Sequence, residues 1–254
     1  MLKATPIADA VASRALPDRP HCVDCTIRGL AICSDCGEGE LDALSAAKSY
    51  RHYGPGATIV SMGERTEFLG SLVEGVAGMS RLLADGRRQV VGLLFPGDFI
   101  GRPFSHEAPF DVVSLSETRL CAFPRARFET FVREMPSLEH RLLEMTLDEL
   151  DSAREWMVLL GRKTAREKLA SFFALAGRRG ARLHGAVPTD GMMIELPLTR
   201  EDMADFLGLT IETVSRQIGA LKKDGLIQLV DARHLHVPSW EDLIDASGGE
   251  MEAA

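Results

Sequence analysis

Residues 198–224 constrain this chain most, because they carry two helical repeats with their start and stop signals in register. Thr199 is a natural N-cap, and Asp202, three positions on, completes a capping-box-like pair with Asp in place of Glu. Met203, Ala204 and Leu207 then recur at helical spacing as the buried side of a first helix. Gly208 stands at the turn, where a residue tolerant of positive φ is needed. Thr210 caps a second helix whose inner face reads Ile211, Val214, Ile218 and Leu221. Residues 226–230 and 234–237, joined by a turn at Asp231–Arg233, predict the hairpin of a wing. The pattern predicts a winged helix-turn-helix.

Such a unit reads DNA with the N-terminal part of its second helix. Glu212, Thr213, Ser215, Arg216 and Gln217 fall on the outer side of that stretch. Arg216 has the fork to pair with guanine O6 and N7, and Glu212 can accept from cytosine N4. Lys222 and Lys223 close the helix and suit phosphate contacts. An isolated Glu/Ser/Arg face is usually just solvated; a forty-residue pattern in register around it makes it a double-stranded DNA interface.

The net charge of −8 looks wrong for a DNA binder, but its distribution matters more than its sum. Residues 162–238 hold 12 Lys and Arg against 9 Asp and Glu, about +3, leaving about −11 elsewhere. A length of 254 residues points to more than one domain. No apolar run approaches the roughly 20 residues of a membrane span. Residues 1–20 lack periodicity, are expected to be mobile, and make a poor signal peptide. The expected compartment is the cytoplasm, with no membrane partner. The seven histidines are scattered, with no Ser/His/Asp or HExxH arrangement, so no enzymatic activity is expected.

Between Tyr53 and Phe123, short apolar runs (57–60, 68–73, 78–82, 89–95 and 119–123) alternate with Gly and Pro turns. Asp85-Gly86 is a hairpin turn, and the spacing predicts a small antiparallel β-barrel. The texture changes at Arg125. Leu143, Thr146, Leu150, Ala153, Met157 and Leu160 step by three and four, an a/d seam over about three heptads. That stripe either packs on its own barrel or, as expected for a reader of paired half-sites, joins two subunits in a homodimer. A further helix over 164–176 is expected to end at Gly177-Arg-Arg-Gly180. The fold class is α+β: a Cys-rich segment (1–40), a barrel (41–130), a dimerisation helix (131–161), a winged helix-turn-helix (162–240) and a tail (241–254).

Four of the five cysteines, Cys22, Cys25, Cys33 and Cys36, crowd into fifteen positions; the fifth is Cys121. In a cytosolic chain such clustering argues for metal or redox chemistry over structural disulfides. Thiolates are soft donors that suit Zn or Fe–S clusters. The four N-terminal cysteines could hold Zn locally, although seven residues between the pairs are fewer than a zinc ribbon usually provides. Cys121 alone would read as an ordinary buried cysteine on a strand.

The order barrel, long helix and winged helix-turn-helix, with Glu212-x-x-Ser215-Arg216 on the reading helix, resembles the Crp/Fnr family of bacterial transcription regulators. Thr164–Leu169 and Leu198–Gly225 are the most specific stretches of a resemblance spanning roughly residues 20–240. It implies a regulator of the Fnr branch, with a TTGAT…ATCAA palindrome read through Glu212, Ser215 and Arg216, and contact with RNA polymerase. The cyclic-nucleotide branch carries a basic phosphate contact where this chain has Pro109–Val113, so no cyclic nucleotide is expected. Cys22-x2-Cys25-x7-Cys33 with distant Cys121 is similar to the ligand set of Fnr-type oxygen sensors, implying a [4Fe-4S] cluster. By the same register Cys36 is an extra thiol, kept as an alternative ligand. Some relatives place an acid inside the seam; the register puts Ala153 there, flanked by Asp151 and Glu155. Other inputs stay open: thiol oxidation at Cys36, a small ligand in the barrel, or a cyclic-nucleotide-binding regulatory role.

Overall fold

A computed structural model describes residues 21–196 and 198–249. The expectation for residues 1–20 falls outside them. The chain opens with a 3-10 turn (Cys22–Asp24) and a run of turns through Cys36, then helix α1 (Glu38–Ala47). Eight strands follow: β1 (Ser49–Tyr53), β2 (Thr58–Val60), β3 (Phe68–Glu74), β4 (Ala77–Leu82), β5 (Arg88–Leu94), β6 (Phe99–Ile100), β7 (Asp111–Ser114) and β8 (Thr118–Pro124). They form two antiparallel sheets, ordered β1-β8-β3-β6 and β2-β7-β4-β5. Leu72, Leu94, Ile100, Val112 and Leu120 fill the space between them. The sequence did not single out β1, β6 or β7. All three are short, and their stability comes from the partner strand rather than from their own apolar pattern.

Strand β3 is buried along nearly its whole length, so its outer face needs cover as well as its inner one. Leu69 and Phe123 on that outer face pack against α1, the cysteine segment and helix α2 (Arg125–Glu134). Phe128 of α2 meets Phe99 and Phe123 with ring centroids 5.1 and 5.6 Å apart.

Helix α3 (Pro136–Arg162) starts at a proline, five residues later than the expected dimerisation segment, because 131–134 still belong to α2. Of the expected seam, Leu143, Thr146, Leu150, Ala153 and Met157 are exposed, and Leu147 and Val158 join them. Leu160 departs from it: it is half-buried against the C-terminal core. The last turn of α3 is already docked on that domain, with Trp156 stacked on Phe206 at 4.0 Å.

Helix α4 (Ala165–Leu183) begins at a capping box, Thr164 with Glu167, and runs straight through Gly177 and Gly180. A Cβ at Gly177 would stand 2.8 Å from the Trp240 ring, so that glycine admits a close neighbour rather than ending the helix. The neighbour is helix α7 (Trp240–Ala246), lying within what the sequence suggested was a tail; its Leu243 is fully buried against α4. Strand β9 (Met192–Glu195), helices α5 (Arg200–Leu207) and α6 (Ile211–Lys223), and strands β10 (Gln228–Leu229) and β11 (His234–Val237) complete the domain. Its sheet runs β10-β11-β9.

Candidate metal centre and nucleic-acid interface

The winged unit is built as its caps dictate. The Thr199 hydroxyl accepts from the Asp202 amide at 3.1 Å, and the Asp202 carboxylate accepts from the Thr199 amide at 3.2 Å. Gly208 ends α5 at φ 61°, and the Thr210 hydroxyl accepts from the Thr213 amide at 3.2 Å to start α6. Val214, Ile218 and Leu221 are buried, which turns the opposite side outward. Ile211, expected on the inner face, is 45 % exposed. Glu212, Ser215 and Arg216 are exposed, as are Lys222 and Lys223, while Thr213 and Gln217 are half-buried. The Glu212 carboxyl is held below its usual range by its own backbone amide and the Thr210 hydroxyl. An Arg216 amino group donates to the Thr213 hydroxyl at 3.3 Å.

The second site lies between the cysteine segment and the outer face of sheet β1-β8-β3-β6. Cys121 projects from β8 opposite Tyr50 and Ser71. Its thiol is pushed up by burial and by the facing thiols of Cys22, Cys25 and Cys33. Burial and the thiols of Cys22, Cys25 and Cys36 push Cys33 to about 12, and burial raises Cys25. The structure therefore brings together Cys22, Cys25, Cys33 and Cys121. Cys36 also adjoins Cys33, but its own sulfur has Ser137 of α3 at 3.9 Å and the carboxylate of Glu40 beside it.

Five residues around this pocket were not foreseen. Lys48 Nζ lies 3.3 Å from Cys22 Sγ. Arg119 sits over the Tyr50 ring at 5.3 Å while an amino group donates to Glu74 at 2.6 Å. The Tyr50 and Ser71 hydroxyls are buried. The Arg28 guanidinium donates to the carbonyls of Cys33 (2.6 Å), Cys36 (2.9 Å) and Ser34, folding the loop around itself. Only Cys121 and the alternation of β8 hinted at Arg119, and the others depend on pairings that no local pattern announces. Four soft thiols beside two cations suit an anionic iron–sulfur group.

The pocket is mechanically joined to the DNA-reading domain. Leu30 of the loop rests on the turn at Gly97, where φ is 103° and a Cβ would stand 2.8 Å from that of Leu30. Its carbonyl accepts from Arg141 of α3 at 3.3 Å. The next residue, Asp98, pairs with Arg179 of α4 at 3.1 Å. Across the β4–β5 hairpin, Arg88 pairs with both Asp202 and Asp205 of α5 at 2.8 Å.

Residues 167–246 match the Crp-like helix-turn-helix domain family, and residues 50–135 the cyclic nucleotide-binding domain family. Over 232 residues the chain is 48 % identical to the transcriptional activator protein FnrL of Cereibacter sphaeroides, covering 91 % of this chain and 94 % of that protein. The chain belongs to the Crp/Fnr family. This Crp/Fnr regulator is also 39 % identical to the nitrogen fixation regulation protein FixK of Bradyrhizobium diazoefficiens, over 84 % of this chain and 89 % of that one. Its fold matches the solved structure of FixK2 from Bradyrhizobium japonicum with a TM-score of 0.72, at 29 % identity over 80 % of this chain and 99 % of that one. It is a DNA-binding transcription regulator of the alphaproteobacterial Fnr-like kind. No described helix is long and apolar enough to cross a membrane.

Proposed function

We propose that this regulator is a cytoplasmic, oxygen-responsive activator that binds a [4Fe-4S] cluster through Cys22, Cys25, Cys33 and Cys121, and as a homodimer reads TTGAT-type palindromes. The observation that carries the proposal is the approach of three loop thiols, one buried and two half-buried, to the one strand thiol, Cys121. Among the described residues no three His, Cys, Asp or Glu side chains are spaced to hold one metal ion. Four thiols are the donor number and type that complete a [4Fe-4S] centre.

The bound group supplies reactivity towards dioxygen, and the chain's own residues do the rest. Cys121 ties the loop to β8, and Arg28 holds the loop's shape from within. Leu30 and Arg141 pass the loop's position to the Gly97 turn and to α3. The exposed side of α3 then meets its counterpart on a second subunit, which sets two copies of α6 at two half-sites. Glu212, Ser215 and Arg216 read base edges, with Thr213 and Gln217 beside them, and Lys222 and Lys223 hold phosphates. RNA polymerase is the partner through which a bound dimer acts.

A cyclic nucleotide is not the effector in this reading. The barrel encloses a cavity of about 540 Å³, lined by Leu94, Phe99, Ile100, Val112 and Met145 among others. One of its two arginines, Arg125, already donates to the Thr66 and Arg102 carbonyls and to Glu129. The lining also includes the carboxylates of Asp98 and Glu149, which repel a phosphate.

Iron and acid-labile sulfide analysis of anaerobically purified protein tests the reading. Wild type and Cys36→Ser are expected to carry both, and Cys33→Ser neither. Iron-free wild type would sink the sensor claim.

A further inference from the structure

The row of side chains that holds Cys121 contains two hydroxyls with nothing to do. Cys121 lies opposite Tyr50 across the β1–β8 ladder and opposite Ser71 across the β3–β8 ladder. Residues directly opposite in an antiparallel ladder share a face with their Cβ atoms about 5 Å apart. Tyr50, Cys121 and Ser71 thus stand side by side on three strands beneath the cysteine loop. Ser71 is 2 % exposed, and among the described residues neither its Oγ nor the Tyr50 hydroxyl has a hydrogen-bond partner. A buried hydroxyl left unpaired costs free energy, and two of them flanking one cysteine ask for a shared acceptor.

The surroundings narrow what that acceptor is. Tyr50 packs among Ile27, Ala31 and Val73, which offer no side-chain acceptor. Lys48 and Arg119 lie over its ring at 5.7 and 5.3 Å, and both are donors only. Cys25 and Cys121 pack in the same cluster as Tyr50, and the thiols of Cys121, Cys25 and Cys22 push its hydroxyl up. A neutral thiol accepts weakly, whereas a sulfur that carries negative charge accepts well.

We propose that Tyr50 and Ser71 are positioning residues of the metal centre, whose O–H groups donate hydrogen bonds to sulfur at Cys121 once the site is loaded. The inference rests on the cluster reading above. Hydrogen bonds to ligand sulfur withdraw charge from the metal side and make it harder to oxidise. The pair therefore sets how long the loaded protein survives air, while Cys121 itself sets whether it loads.

The test uses full-length protein loaded anaerobically: wild type, Tyr50→Phe, Ser71→Ala and Ser71→Thr. Resonance Raman spectra in H2O and D2O report hydrogen bonds to sulfur, and loss of the visible absorbance in air-saturated buffer gives the lifetime. In wild type the Fe–S bands are expected to shift on deuteration. The shift shrinks in Tyr50→Phe and Ser71→Ala and persists in Ser71→Thr, and Tyr50→Phe shortens the lifetime several-fold. A packing role alone would change the lifetime but not the deuteration shift. Full iron and sulfide with a wild-type deuteration shift in both hydroxyl-free variants overturns the inference. If Tyr50→Phe fails to load, the two Ser71 variants decide by the same bands. Wild type without iron overturns the cluster reading, and this inference with it.

Discussion

Arg216 and Lys222 sit about two turns apart on α6, both exposed and both cationic, yet the proposed function gives them different roles on DNA. Arg216 lies near the helix start, steadied by the Thr213 hydroxyl, where a guanidinium can address a base edge. Lys222 lies in the last turn. Arg216→Ala is expected to cost about 1–3 kcal/mol on the palindrome and to relax preference at one base pair per half-site. Lys222→Ala should weaken all sequences alike and lower the salt slope by about one. Fluorescence anisotropy on matched and mutated operators across a salt series separates the two; equal losses on every sequence for Arg216→Ala would refute its role. These residues were legible in the sequence because caps and helical spacing are local. Tyr50 and Ser71 were not, because their link to Cys121 exists only across two strand pairings.

At the scale of elements, α3 has two faces with different owners. Its start and end are buried in its own subunit through Leu138 and Leu159, while Leu143, Leu147, Leu150, Met157 and Val158 stand in solvent. In the proposed homodimer that stripe is the interface. Leu150→Asp places an unpaired charge in it and is expected to weaken self-association by about 2 kcal/mol or more, roughly thirtyfold. Analytical ultracentrifugation of the loaded protein measures this, and an unchanged constant would remove α3 from the interface. The heptad reading put Leu143, Leu150 and Met157 on that face and erred at Leu160. Spacing alone does not reveal that the last turn of α3 rotates its side chains onto α5. Helix α7 was missed for a similar reason: it is only two turns long, and what holds it is the Leu243 contact with α4, not its own periodicity.

Over the whole molecule, the ion pairs of Arg88 with Asp202 and Asp205 fix where the reading domain sits against the barrel. The carboxylates are mostly covered and Arg88 is a third exposed, so the pair of bridges is worth about 1 kcal/mol after solvent screening. The side-chain amide of Gln89 adds a hydrogen bond to the Asp205 carbonyl at 2.8 Å. Arg88→Ala is expected to speed amide exchange in α5 roughly fivefold while leaving β3 and β8 unchanged. Hydrogen–deuterium exchange would show it; equal protection of α5 in both proteins would mean that Trp156 and Phe206 hold the domains without help. The two domains were readable from composition and motif, but not the clasp between them, since Arg88 and Asp202 belong to separately patterned segments.

The placement of Cys121 also bears on how the protein is made. Three of the converging thiols leave the ribosome early, but the fourth follows only after seven strands have been synthesised. It reaches the others only when β8 has paired with both β1 and β3. Such long-range pairings form late. Under the proposed function, iron would therefore enter only after the barrel has closed. Until then the early cysteines are an open, incomplete set, exposed to whatever metal or oxidant arrives first.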